Sequence, residues 1–91
     1  YGLIGDWEGK LKIDLQLTKH APDSYAAWFD LSQTQIRLKQ TNESTQAMLK
    51  ALTLFENSEI KIPDIMSILH TNTLLKPLRE QPEIKKFLEN N

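Results

Sequence analysis

The chain has 91 residues, 40% hydrophobic and 25% charged, which is the size and make-up of one small globular domain with a single core. Its 11 basic and 12 acidic residues leave a formal charge of −1, so nothing electrostatic points to nucleic acid or an anionic membrane as partner. Without cysteine there is no disulfide framework, thiolate nucleophile or Cys-based zinc site, and the compartment is left undecided.

The apolar spacing is helical nearly throughout and predicts an all-α chain without strands. The opening YGLIGDWEGK carries neither the basic region nor the long apolar stretch of a signal peptide, and no run is long enough to insert into a membrane. A start without Met, on an apolar tetrapeptide, reads as a piece of a longer protein whose targeting signals lie elsewhere. Asp6 is the expected N-cap of a first helix that runs to about His20 and is ended by Ala21-Pro22. Asp23 or Ser24 caps a second helix over about 24–39 by accepting an orphan N–H bond, and Asn42 caps a third over about 43–57. The short connections predict antiparallel hairpins.

Beyond Asn57 the pattern thins. A short helix is expected to begin near Pro63, with Ile65, Ile68 and Leu69 along one apolar edge. Pro77 is expected to break any helix over Leu74 to Glu80, because its ring clashes with the preceding turn. A last helix from Pro82 places Ile84, Phe87 and Leu88 on one side.

The second helix has two apolar faces: Trp28, Leu31 and Leu38 on one side, Phe29 and Ile36 on another. Two faces imply neighbours on both sides, as stacked hairpins provide. Shifting the chain against itself by one hairpin-repeat length yields poor identities, although turn, helix and terminator recur at matching places.

From Trp28 the sequence reads W-x2-L-S-x2-Q, and then Ser44-x3-Met48-x2-Ala51-Leu52 without a gap. This resembles the tetratricopeptide repeat, whose pattern is W-x2-L-G-x2-Y followed by A-x3-F-x2-A and a closing proline. Trp28, Leu31 and Ala51 match by identity, and Ser32 and Ser44 keep the small size needed where two helices approach closely. Upstream, GDWEG with Trp7 resembles the start of a second helix of a preceding repeat, and Pro22 stands where that repeat closes. The resemblance thus divides a single domain, 1–91, into a partial repeat (5–22), a full repeat (24–57) and a C-terminal helical cap (58–91). It implies antiparallel hairpins stacked as a short right-handed solenoid. The departures are Gln35 for an aromatic, Lys39 for a glycine and Glu56 for the closing proline; Lys10 and Asp14 stand where the family has alanine and an aromatic. One turn apart, Lys10 and Asp14 are expected to pair at the surface for a few tenths of a kcal/mol, roughly.

Catalytic chemistry has little foothold. His20 and His70 are far apart, lack the H-x3-H or H-E-x2-H setting of a metal site, and read as surface or helix-end histidines. Asp23-Ser24 and His70-Thr71 fit capping, and no ordered Ser/His/Asp set or glycine-rich phosphate loop occurs. The expectation is a non-enzymatic chain without cofactor. Lys76, Arg79, Lys85 and Lys86 are interleaved with Glu80, Glu83 and Glu89, a mixed solvated face. Trp7 and Trp28 are expected to pack and not to stack on a ligand.

What the resemblance implies is recognition of a protein or peptide. In the family the first helix of each repeat lines a groove that takes extended peptides or partner helices. Carried onto this chain, the groove residues are Ala26, Phe29, Gln33, Ile36 and Arg37, with packing against a neighbouring helix as the competing role for Phe29 and Ile36. Only Arg37 is basic and Asp30 beside it is acidic, so the carboxyl-terminus clamp of some relatives is not expected. Two further readings stand beside this one: the non-catalytic tail of a larger, membrane-bound or soluble enzyme, and self-association through a first helix that exposes Trp7 and Leu11.

Overall fold

The computed structural model describes residues 7–59 and 64–89, and among these every regular element is helical. In chain order they are α1 (Trp7–His20), α2 (Tyr25–Arg37), α3 (Thr41–Glu56), α4 (Ile65–Thr71), a 3-10 turn (Thr73–Leu75), α5 (Lys76–Arg79) and α6 (Pro82–Glu89). No helix among the described residues is long and apolar enough to cross a membrane.

Each boundary has a local cause. Asp6, the expected cap of α1, lies outside the described residues. Ser24 caps α2, its Oγ accepting the Ala27 N–H at 3.3 Å. The far end of α2 closes in a Schellman motif: the Lys39 N–H donates to the Ile36 carbonyl at 3.1 Å and the Gln40 N–H to the Gln35 carbonyl at 2.9 Å. That motif needs a left-handed residue, and Lys39 supplies it at φ 61°, a conformation glycine adopts without steric penalty. The expected cap Asn42 instead sits inside the first turn of α3, which begins at Thr41 with Gln40 as N-cap and no side-chain bond. The Schellman turn delivers the chain into α3 at Thr41, ahead of the Asn42 side chain.

In the C-terminal part, α4 starts at Ile65, capped by Asp64, which accepts from the Ser67 N–H at 3.2 Å and from the Ser67 Oγ–H at 3.0 Å. Pro63, the expected start, lies outside the described residues. No single α-helix spans Leu74 to Glu80, yet Pro77 breaks nothing: the 3-10 turn passes directly into α5, and Pro77 lies in its first turn, where its missing N–H leaves nothing unsatisfied. Arg79 then fastens this segment to α4: one guanidinium nitrogen donates to the Leu69 carbonyl at 2.7 Å and the Asn72 carbonyl at 2.9 Å. Arg79 therefore leaves the expected mixed, solvated face and serves as a helix-end cap, while Lys76, Lys85 and Lys86 stay exposed.

The three long helices run antiparallel in sequence. The start of α2 meets the end of α3, where the Tyr25 and Phe55 rings pack edge to face at 5.1 Å. The start of α1 meets the end of α2, where the Arg37 guanidinium lies 4.4 Å over the Trp7 ring. The core joins Tyr25, Phe29 and Ile36 of α2 to Met48, Ala51, Leu52 and Phe55 of α3. Ile65, Leu69, Leu75, Leu78 and Ile84 close it from the C-terminal segments. No residue of α1 belongs to this cluster.

Ser32 and Ser44 meet across the α2–α3 interface, both fully buried. The Ser32 hydroxyl donates to the Ser44 carbonyl at 2.8 Å and the Ser44 hydroxyl donates to the Ser32 carbonyl at 2.6 Å. Each hydroxyl has one proton and spends it on the opposite backbone, so the 2.9 Å Oγ–Oγ approach follows from the reciprocal pairing. Smallness lets the helices approach, and the two bonds then hold them in register.

Candidate functional site

The α1–α2 contact is built differently. Asp14 and Thr18, both polar, are the buried residues of α1. The Asp14 carboxylate, 3% exposed, accepts from Lys10 Nζ at 2.9 Å and from the Thr34 hydroxyl at 2.6 Å. Lys10 Nζ also donates to Thr34 Oγ1 at 3.2 Å. The pair expected at the surface is thus a buried carboxylate with its partners, and it spans two helices instead of decorating one. Thr18 satisfies its own hydroxyl by donating to the Leu15 carbonyl at 2.9 Å.

With the polar residues turned inward, the large apolar ones of α1 turn outward. Ile13, Leu15 and Leu17 are 46%, 43% and 47% exposed. At about 100° per residue, Ile13 and Leu17 share the flank of α1 that carries Lys10, while Leu15 lies on the opposite flank. With α1 and α2 antiparallel and facing each other through Asp14 and Thr34, the flank with Lys10, Ile13 and Leu17 borders the edge of α2 that carries Asp30 and Arg37. On that edge Ala26, Asp30 and Arg37 are exposed and Gln33 is half-buried, one stripe along the helix. A two-helix surface results: an aliphatic rail from α1, and a rail from α2 with Arg37 at one end, Asp30 in the middle and Ala26 beyond.

The residues expected to line a groove separate into two sets. Ala26, Gln33 and Arg37 are on this surface. Phe29 and Ile36 are not: they are 6% and 8% exposed and belong to the core, because α3 and the 3-10 turn cover that side of α2. Trp7 and Leu11, expected to be exposed, are half-buried, Trp7 under the Arg37 guanidinium. Ile13, Leu17 and Asp30 were not singled out by the groove pattern. The signal for them is the acid at position 14: a buried Asp14 rotates Ile13 and Leu17 away from the core.

The repeat-motif residues gather at the α2–α3 hairpin. Leu31, Ser32, Ser44, Met48, Ala51 and Leu52 are buried there. Trp28 is half-buried against the core, and its indole N–H donates to the Pro22 carbonyl at 2.9 Å, tying α2 to the exposed connection behind it. His20 and His70 are exposed, and among the described residues no group of acidic or histidine side chains is placed to hold a metal ion. Gln35, standing where the repeat pattern has an aromatic, is buried, and its Oε1 has no hydrogen-bond partner among the described residues. No protein-family model matches the chain, and neither a curated protein nor a solved structure matches it.

Proposed function

We propose that the chain is a protein-interaction module of tetratricopeptide type, without chemistry of its own, that receives a peptide or partner helix along the face shared by α1 and α2. The observation that carries this reading is the outward display of Ile13 and Leu17 beside the exposed stripe of α2. Side chains of that size gain about 25 cal/mol for each Å² of apolar surface withdrawn from water, so a partner that covers them is stabilised. The repeat reading draws support from the antiparallel α2–α3 hairpin, with small Ser32 and Ser44 at the crossing and Trp28, Leu31, Met48, Ala51 and Leu52 packed around it. The solenoid expected of the family would then run from α1 through α3, with α4 to α6 as its cap.

The test is selection of peptides from a displayed random library on the immobilised chain, with Leu17→Glu as the counter-target. The reading expects peptides that bind the parent chain and lose binding to the variant, with circular dichroism unchanged. Peptides that bind both equally, or a library that yields none, would contradict it.

A further inference from the structure

The charges on the α1–α2 face say what kind of segment fits it, an inference that rests on the interaction reading above. The Arg37 guanidinium carbon lies 4.4 Å from the Trp7 ring centroid, Arg37 is exposed, and among the described residues no side chain or carbonyl accepts a hydrogen bond from its guanidinium. A guanidinium over an aromatic face keeps its N–H groups for other partners, and a carboxylate is the acceptor that fits them. Asp30 is exposed two turns back along the same stripe, about 10 Å away at 1.5 Å rise per residue. Because α1 runs antiparallel, with Trp7 at Arg37 and both Lys10 and Asp14 bonded to Thr34, Asp30 falls at a level between Ile13 and Leu17. The surface therefore presents, from one end to the other, Arg37, then Lys10 with its charge already paired to Asp14, then Asp30 between the aliphatic Ile13 and Leu17.

We infer that the partner of this face is an amphipathic helix whose docking side begins with an acidic residue for Arg37 and, about two turns later, carries a basic residue for Asp30 flanked by two aliphatic residues that cover Ile13 and Leu17. The aliphatic pair supplies affinity through buried area, and the two charges fix direction and register along the face. A partner in the opposite direction sets its basic residue against Arg37 and its acid against Asp30, a like-charge arrangement at both ends. The face thus discriminates orientation as well as composition.

The experiment uses fluorescein-labelled helical peptides on an alanine–glutamine background, with Glu at one position and Leu, Lys and Leu roughly seven, eight and eleven residues on. A second peptide replaces the Glu by Lys. Anisotropy titrations against the full chain are expected to show the Glu peptide binding about fivefold more tightly than the Lys peptide, the scale of an exposed attraction exchanged for a repulsion. Arg37→Glu is expected to invert that order, and Leu17→Glu to abolish binding of both. Dependence on Leu17 with equal affinity for the two peptides overturns the charge pattern and leaves the docking face standing. Binding of neither peptide by the folded chain, or binding indifferent to Leu17→Glu, overturns both. Concentration-dependent dimerisation abolished by Leu17→Glu would assign the face to a second copy and overturn the proposed partner.

Discussion

Both α1 and α3 pack antiparallel on α2, but by different means. The α2–α3 side is an apolar core of Phe29, Ile36, Met48, Leu52 and Phe55 fixed by the Ser32–Ser44 bonds. The α1–α2 side is held by a buried carboxylate shared between Lys10 and Thr34, while α1 shows its aliphatic residues to solvent. Apolar burial supplies net stability, whereas a buried ion pair spends much of its Coulomb gain on desolvation and mainly specifies geometry. One helix is therefore anchored by its packing; the other is positioned by its hydrogen bonds and leaves its packing surface available.

Substitutions can sharpen or break that contrast. The largest effect is expected from Leu52→Ala, which opens a cavity in the fully buried core; a loss of about 3 kcal/mol should appear in urea unfolding followed by far-UV circular dichroism. Next comes Asp14→Ala, which strands the Thr34 hydroxyl and the Lys10 ammonium. It should cost about 2 kcal/mol, expressed as loosening of α1 while the α3 signals stay in place, as read by amide resonances. Replacing the group together, Asp14→Leu with Thr34→Val and Lys10→Ala, should be neutral or stabilising in the same denaturation assay, because no buried polar partner is left behind.

Smaller changes test the hairpin. Ser32→Ala should cost about 1 kcal/mol by leaving Ser44 as the sole cross-helix donor, with Ser32→Leu far worse because the helices must separate to admit it. Lys39→Gly should raise stability by about 1 kcal/mol in thermal melts by relieving the left-handed conformation. The smallest stability effect, under about 0.5 kcal/mol, belongs to Ile13→Gln with Leu17→Gln, since both side chains already face water; a loss as large as that of Leu52→Ala would put them in the core and end the comparison.

Much of this architecture was legible in the residues. Ser24 as a cap, Pro82 at the head of α6, the hairpins and the close approach at Ser32 and Ser44 all follow from local rules. The start of α3 did not, because Gln40 carries no capping signature and the Schellman turn before it uses Lys39 in place of glycine. The face of α1 was the larger difference. Apolar periodicity assumes that large aliphatic residues point inward, and on α1 the inward positions belong to Asp14 and Thr18. Lys10 and Asp14 stood out as departures from the repeat pattern, but their i, i+4 spacing reads equally as a surface pair; only Thr34, from the next helix, makes the carboxylate an interior group. Phe29 and Ile36 were ambiguous for a related reason: which side of α2 is open depends on where the 3-10 turn folds back, and sequence distance hides that return.

The contrast between the two sides of α2 is tested most directly by native-state hydrogen exchange on the intact chain. The account predicts that amides in the second half of α1 exchange through an opening markedly less stable than the one that exposes Met48 to Phe55, and that a bound helical peptide raises protection in α1 first. Equal protection of α1 and α3 in the free chain, lost together in one global transition, would contradict it.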